Sequence, residues 1–197
     1  MIIGVLALQG AFIEHIKMLR RIGVEAVEVR LPYQLDRLDG LIIPGGESTT
    51  IGKLATEYGL IEPLRRFARA KPTWGTCAGM IFLAKDIGID EQPILGAMDI
   101  TVDRNAFGRQ IDSFETDLEI SGLTGAPYHA VFIRAPVVTA ADSAVDVLAR
   151  LDDGRIVAVR QGRLLATAFH PELTDDLRLH SVFCDIVKRT GLSPGRE

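Results

Sequence analysis

The chain opens on an uninterrupted apolar run, Ile2-Ile3-Gly4-Val5-Leu6-Ala7-Leu8, that stops at Gln9-Gly10. A run without alternation predicts a strand buried on both faces, because a half-exposed strand alternates apolar and polar positions. Phe12, Ile16, Leu19 and Ile22 then recur at helical spacing, and Gly23 closes that helix. Val24 to Arg30 reads as a second strand. Gly40 to Ile43 reads as a third, stopped by Pro44-Gly45-Gly46. The pattern predicts helices starting near Thr49 and running from Pro63 to Ala70, a fourth strand over Thr73 to Thr76, and a helix over Ala78 to Lys85. Strands alternating with helices imply a parallel sheet with helices on both faces.

After Gln92 the texture changes. Met98–Val102, Phe114–Ile120, Val131–Arg134, Val145–Leu151, Ile156–Arg160 and Leu164–Phe169 all read as strands, and Asp152-Asp153-Gly154 joins two of them in a hairpin. A last amphipathic helix carries Leu177, Val182, Phe183, Ile186 and Val187, and Ser193 to Glu197 are expected to fray. The fold class is therefore α/β: three layers, a mostly parallel central sheet flanked by helices, and some antiparallel strands in the C-terminal half. No repeat, low-complexity tract or long linker divides the chain, so residues 1–197 read as a single domain.

Composition narrows the function classes. At 47% hydrophobic residues the chain is expected to bury a core. A net charge of -4 argues against non-specific nucleic-acid or anionic-membrane binding as the main role. The apolar opening is short and lacks a basic leader, so it reads as a strand and not a signal peptide. No run reaches the ~18 apolar residues of a membrane span. Two cysteines, Cys77 and Cys184, do not make a disulfide framework and fit a reducing compartment. The expectation is a soluble, cytoplasmic protein with no nucleic-acid or membrane partner and no metal or cofactor.

The most informative stretch is Trp74-Gly75-Thr76-Cys77-Ala78-Gly79-Met80. A potential nucleophile lies at a strand-to-helix turn, with a glycine two positions before it and two after. That is a nucleophile elbow, in which small flanking residues let strand and helix approach closely. The turn presents the sulfur at the carboxyl edge of the sheet, where the start of a helix favours a thiolate. Cys184 has no such frame and reads as core. A thiolate needs a proton partner. His15 and His180 read as surface or partly packed helix residues, and His129 as part of a loop before a strand. His170 directly follows an apolar strand, with Pro171 and Glu172 behind it. In an extended segment residues 170 and 172 face the same way, so the carboxylate can orient the imidazole. Pro44-Gly45-Gly46-Glu47-Ser48-Thr49-Thr50 follows the third strand. Its amides, with Gly46 as donor beside Ala78 of the elbow helix, offer an oxyanion site. The bland reading is an ordinary loop capped by Ser48 or Thr49. Gln9-Gly10 is expected at the same edge.

Together these residues resemble the class I, triad-type glutamine amidotransferases. Within that superfamily they are most similar to the glutaminase subunit family of pyridoxal 5'-phosphate synthase. The carriers are Leu8-Gln9-Gly10-Ala11 with Glu14-His15, the Pro44–Thr50 loop, Gly75-Thr76-Cys77-Ala78-Gly79, Arg104-Asn105-Ala106-Phe107-Gly108-Arg109-Gln110, Phe132-Ile133-Arg134-Ala135-Pro136 and Phe169-His170-Pro171-Glu172-Leu173-Thr174. The resemblance implies L-glutamine bound by Gly46, Glu47, Ser48, Arg104, Ile133 and Arg134. It further implies a Cys77-His170-Glu172 triad, a glutamyl thioester, and ammonia handed to a (β/α)₈ barrel synthase subunit, with Gln9 and Gly10 coupling the two. On residue chemistry alone, Arg104 and Arg109 read as solvated loop charges, and a functional role is an equal alternative for Arg104 and Arg134. Three rivals remain: an ammonia-supplying glutaminase of another pathway, a cysteine peptidase or stress hydrolase on the same scaffold, and a silent scaffolding subunit.

Overall fold

A computed structural model of the chain describes residues 1–89, 91–106 and 113–191. Its elements begin with β1 (Ile2–Leu6), α1 (Phe12–Arg21), β2 (Glu25–Val29), β3 (Gly40–Ile43), α2 (Ser48–Glu57), α3 (Ile61–Ala70), β4 (Thr73–Thr76), α4 (Ala78–Leu83) and β5 (Ala84–Asp86). They continue with β6 (Met98–Asp103), β7 (Ser113–Leu118), β8 (Tyr128–Ile133), β9 (Val137–Ala141), β10 (Asp146–Arg150), β11 (Ile156–Gln161), β12 (Leu164–Thr167) and α5 (Arg178–Gly191). Short 3-10 turns cover Pro32–Leu35 and Pro171–Leu173.

The large sheet runs β2-β1-β3-β4-β12-β11-β9-β6-β5, with β10 added to β11. The first five strands are parallel, and β12, the last of them, then pairs antiparallel with β11. The pairs β11–β9, β9–β6 and β10–β11 are also antiparallel, whereas β5 and β6 are parallel. β7 and β8 form a separate antiparallel ribbon. This is the mixed, mostly parallel α/β sheet expected from the strand pattern. Its central strands are covered on both faces: every residue of β3, β4 and β12 is buried, the threonines Thr73, Thr76 and Thr167 included.

β4 shows how the layers divide. Trp74 and Thr76 point to the face covered by α1 and α5, where the Trp74 ring is 5.0 Å from His180 and 5.6 Å from Phe183. Gly75 points to the other face, against α4. Strand alternation thus sends a large side chain to one layer and no side chain to the other.

Three local expectations are corrected. The helix after the elbow ends at Leu83 and not Lys85. Its last carbonyls, Phe82 and Leu83, accept hydrogen bonds from the Leu95 and Ala97 amides, and the chain turns into β5. The cap of α2 is Glu47 and not Ser48 or Thr49: its carboxylate folds back to accept from the Thr49 amide (3.0 Å) and the Thr50 amide (2.7 Å). β9 is a strand that the apolar pattern does not predict, because it is short, half exposed and begins just after Pro136. The fraying expected at residues 193–197 lies outside the described residues, as do Arg109 and Gln110.

Candidate active site

Four loops meet at the carboxyl edge of the parallel strands: those after β1, β3, β4 and β12. Such an edge is where open α/β sheets place their ligands. Cys77 caps β4 with φ 48° and ψ -107°, a left-handed conformation rare for a residue with a side chain. Its amide donates to the Thr167 carbonyl of β12 at 2.8 Å, which locks the turn. The glycine frame has a direct steric cause. A Cβ on Gly75 would lie 2.4 Å from the Gly79 carbonyl oxygen, and one on Gly79 would lie 2.0 Å from the Ile43 carbonyl oxygen. Strand and helix therefore approach backbone to backbone, and the strained elbow follows.

His170 leaves the end of β12, and its amide donates to the Val131 carbonyl of β8 at 2.8 Å. Its Nδ1 is 2.7 Å from Oε1 of the buried Glu172, so the carboxylate fixes the ring from behind. The ring and Cys77 both press on Gly45. A Cβ there would stand 2.4 Å from His170 Cε1 and 3.2 Å from the Cys77 Cβ. The thiol also lies 3.8 Å from the Ile133 carbonyl, to which it donates. Sulfur and ring are close enough to interact electrostatically. Burial disfavours a charged His170, but hydrogen bonding to Cys77 and Glu172 and their negative charge outweigh it, pushing its pKa up to about 10. The arrangement therefore favours an imidazolium beside the sulfur.

The loops after β1 and β3 are interlocked. Gly10 has φ +95°, and a Cβ on it would lie 1.8 Å from the Gly45 carbonyl oxygen, which itself accepts from the Ala11 amide at 3.1 Å. The Gln9 amide oxygen accepts from the Glu47 amide at 2.7 Å. A Cβ on Gly46 would meet that same Gln9 oxygen at 2.2 Å. Across from Gly46, Ala78 is the first residue of α4, and by helix geometry its amide has no acceptor within the helix. Ser48 is buried at the head of α2.

Arg104, just past β6, reaches the same helix head. Its guanidinium donates to the Gln92 side-chain oxygen and to Thr49 Oγ1 at 3.4 Å, and stands 3.9 Å from Glu47. Burial pushes the Glu47 carboxyl up, yet hydrogen bonds from Thr50 and Thr49 prevail and hold its pKa down at about 2. Ile133 is partly exposed beside the thiol, and Arg134 follows it in the left-handed region at φ 42°. The structure thus brings Cys77, His170, Glu172, Gly46, Ala78, Gln9 and Gly10 to one edge. Glu47, Ser48 and Arg104 lie alongside.

Three histidine expectations are corrected. His15 and His180 are fully buried and not at the surface. His15 Nδ1 is 3.0 Å from His180 Nε2, and His15 Nε2 is 3.2 Å from Thr76 Oγ1 and 3.3 Å from Glu172 Oε2. The signal is present in the sequence. His15 falls in register with Phe12, Ile16 and Leu19, and His180 with Phe183, Cys184 and Val187, each on the apolar face of its helix. His129 is on β8 and not in a loop, exposed and 2.9 Å from both Glu115 and Asp117 of β7. Cys184 is core as expected, and burial pushes its thiol up to about 11. Thr49 and Gln92, which hold Arg104, escape prediction because neither stands in an apolar period. Among the described residues, no group of three His, Cys, Asp or Glu side chains is placed to hold a metal ion. Nor, among them, is any helix long and apolar enough to cross a membrane.

Comparison with known proteins bears on this edge. The sequence model of the SNO glutamine amidotransferase family matches residues 5–189. A pyridoxal 5'-phosphate synthase subunit PdxT from Herpetosiphon aurantiacus is 63% identical over 187 residues, covering 93% of this chain and 98% of that protein. The same-named subunit from Moorella thermoacetica is 59% identical over 186 residues, covering 94% of this chain and 98% of its own. A crystal structure of a glutamine amidotransferase superposes with a TM-score of 0.89 at 54% identity, covering 94% of this chain and 98% of that one. A putative GMP synthase chain from Thermoplasma acidophilum shares the fold at a TM-score of 0.69 and 18% identity, covering 97% of this chain and 94% of its own.

Proposed function

The chain belongs to the SNO glutamine amidotransferase family, and from that premise we propose that it is the glutaminase subunit of a pyridoxal 5'-phosphate synthase. It hydrolyses L-glutamine to L-glutamate and ammonia, and the ammonia serves vitamin B6 biosynthesis. The observation that carries the reading is the elbow cysteine lying against an imidazole that Glu172 grips at 2.7 Å.

Cys77 is the nucleophile, His170 the acid and base, and Glu172 the orienting carboxylate. Glutamine lies against Gly46, Glu47 and Ser48, with its charged backbone end toward Glu47 and Arg104, and Ile133 and Arg134 flank the thiol. The Cys77 thiolate attacks the side-chain carboxamide carbon, forming a C–S bond and pushing the carbonyl electrons onto oxygen. Amides of Ala78 and Gly46 hold that oxyanion. His170 gives its proton to the departing nitrogen, the C–N bond breaks, and ammonia leaves a glutamyl thioester. The neutral imidazole then takes a proton from water as the hydroxide attacks the thioester. Collapse returns the thiolate and the imidazolium and releases glutamate.

Ammonia is useful only if it reaches its acceptor before it is protonated. The partner is therefore the barrel synthase subunit of the enzyme, docked over this edge, with Gln9 and Gly10 linking the docked surface to the oxyanion loop. Residues 1–197 act as one glutaminase domain in the cytoplasm, supported by a single continuous core from β1 to α5.

The test is ammonia release from glutamine, with and without the barrel subunit, for wild type and Cys77→Ala. Release by wild type and none by the variant is expected. Equal release by both would sink the mechanism. Cleavage of peptides with indifference to glutamine would instead make the chain a peptidase on the same scaffold.

A further inference from the structure

We propose that His15 is a positioning residue for the triad: it holds the second oxygen of Glu172, and His180 sets the tautomer in which it does so. The inference rests on the glutaminase reading above and deepens it. Glu172 uses Oε1 for His170. Its Oε2 is buried and makes no hydrogen bond, while His15 Nε2 stands 3.3 Å away, slightly out of alignment. A buried carboxylate oxygen without a donor is costly, and a small rotation of the His15 ring supplies one. With both oxygens held, the carboxylate cannot swing, and Oε1 stays on the catalytic ring.

Whether His15 can donate depends on its tautomer, and its neighbours decide that. His15 Nδ1 and His180 Nε2 are 3.0 Å apart, so one donates and the other accepts. If His15 donated from Nδ1, its bare Nε2 would face a carboxylate oxygen at 3.3 Å. His180 would then carry its proton on Nδ1, which is buried with no partner. Both consequences are unfavourable. If His180 donates from Nε2, its partnerless Nδ1 is a lone pair, the lesser cost. His15 then accepts at Nδ1 and carries its proton on Nε2, bonded in this arrangement to Thr76 Oγ1 at 3.2 Å, with Glu172 Oε2 beside it at 3.3 Å. The chain of donors runs one way, His180 to His15 to Glu172.

The surroundings keep both rings neutral, as this order requires. His15, His180 and Thr76 are fully buried. Burial lowers the pKa of His15 despite the nearby Glu172, and lowers that of His180 to about 2. Trp74 fixes both rings, standing edge-on 5.9 Å from His15 and 5.0 Å from His180, and its indole N–H is bonded to Thr167. The relay thus joins α1 and α5, two helices outside the catalytic loops, to the carboxylate behind His170.

Nitrogen NMR of the histidine rings in isotope-labelled wild type reads the tautomers directly. Both His15 and His180 are expected to carry their proton on Nε2. Kinetics with glutamine in the presence of the barrel subunit give the second arm. His15→Phe keeps the ring volume without the donor and is expected to lower kcat by about 10–100-fold, since misplacing a catalytic group by about 1 Å can cost about 100-fold. KM should hold within about twofold, because ground-state binding is untouched. His15→Gln, whose amide nitrogen replaces Nε2, should recover most of the loss. A His15 proton on Nδ1, a folded His15→Phe with wild-type kcat, or a His15→Gln no better than His15→Phe each overturns the proposal. If His15→Phe fails to fold, the wild-type tautomers and His15→Gln still decide. If wild type releases no ammonia at all, the glutaminase reading fails, while the tautomers still judge this inference separately.

Discussion

Gly79 stands so close to Ile43 that a Cβ on it would lie 2.0 Å from the Ile43 carbonyl oxygen. Both partners are backbone, one at the first turn of α4 and the other at the end of β3, so neither can yield by changing rotamer. The contact sets how closely the elbow helix sits on the sheet, and hence how sharply the chain turns at Cys77. Gly79→Ala is expected to lower stability by about 1–3 kcal/mol, the range for forced overpacking of a core. Urea denaturation checks this, and a change under about 0.5 kcal/mol would contradict the close approach.

Gln9 ties the loop after β1 to the loop after β3 through its 2.7 Å contact with the Glu47 amide. Gln9→Leu removes the acceptor and frees the Gly46-Glu47 peptide at little cost to the core. The expected result is a drop of about 10–100-fold in glutamine hydrolysis with the barrel subunit, because small misplacements of an oxyanion donor are costly. Full partner-dependent activity in this variant would end the coupling proposal.

Glu47→Ala removes the cap of α2. The cost expected at pH 7 is about 1 kcal/mol. Its pH dependence has a definite sign. The Glu47 carboxyl is held down from 4.5 to about 2, so its contribution is present above pH 4.5 and fades as the pH falls through 2. Urea midpoints of wild type and variant should therefore converge across that window. A gap that widens in acid would refute the cap.

The buried histidines give stability a maximum. Below its ordinary value of 6.5, His180 takes a proton in the unfolded chain that the folded chain refuses until about pH 2. Stability then falls on acidification by about 1.4 kcal/mol per pH unit for that group. His15 adds to the same limb, since its pKa is also lowered. His170 acts oppositely. With its pKa raised to about 10, its contribution is complete below 6.5 and is lost as the pH rises through 10. Denaturation across pH should peak near neutrality, and His180→Phe should flatten the acid limb alone. An unchanged acid slope in that variant would show that His180 is not buried neutral.

The strand–helix alternation of the parallel half is legible because β1 and β3 are unbroken apolar runs that stop at Gln9-Gly10 and at Pro44, whereas the order of the strands in the sheet is set by tertiary packing. The glycines around Cys77 are equally plain, since only a residue without a Cβ fits where backbones meet. Glu47 as the cap is not legible, because a glutamate folding back on its own helix looks like any loop charge. Nor is β9, whose exposed face hides its period. His15 and His180 depart from expectation for another reason. Their places on the apolar helix faces are visible, but a histidine is as common at a surface as in a core, and only a buried partner decides which.

By itself the sequence determined the α/β alternation, the elbow at Cys77 and the order of the loops that reach it, because each follows from local spacing and backbone sterics. The tertiary structure decided which groups stand behind the catalytic pair. His15 and His180 belong to helices at opposite ends of the chain, and their ring nitrogens come within 3.0 Å only once both helices pack on the same face of the sheet. That packing buries them, and burial, not their own chemistry, lowers the pKa of both rings.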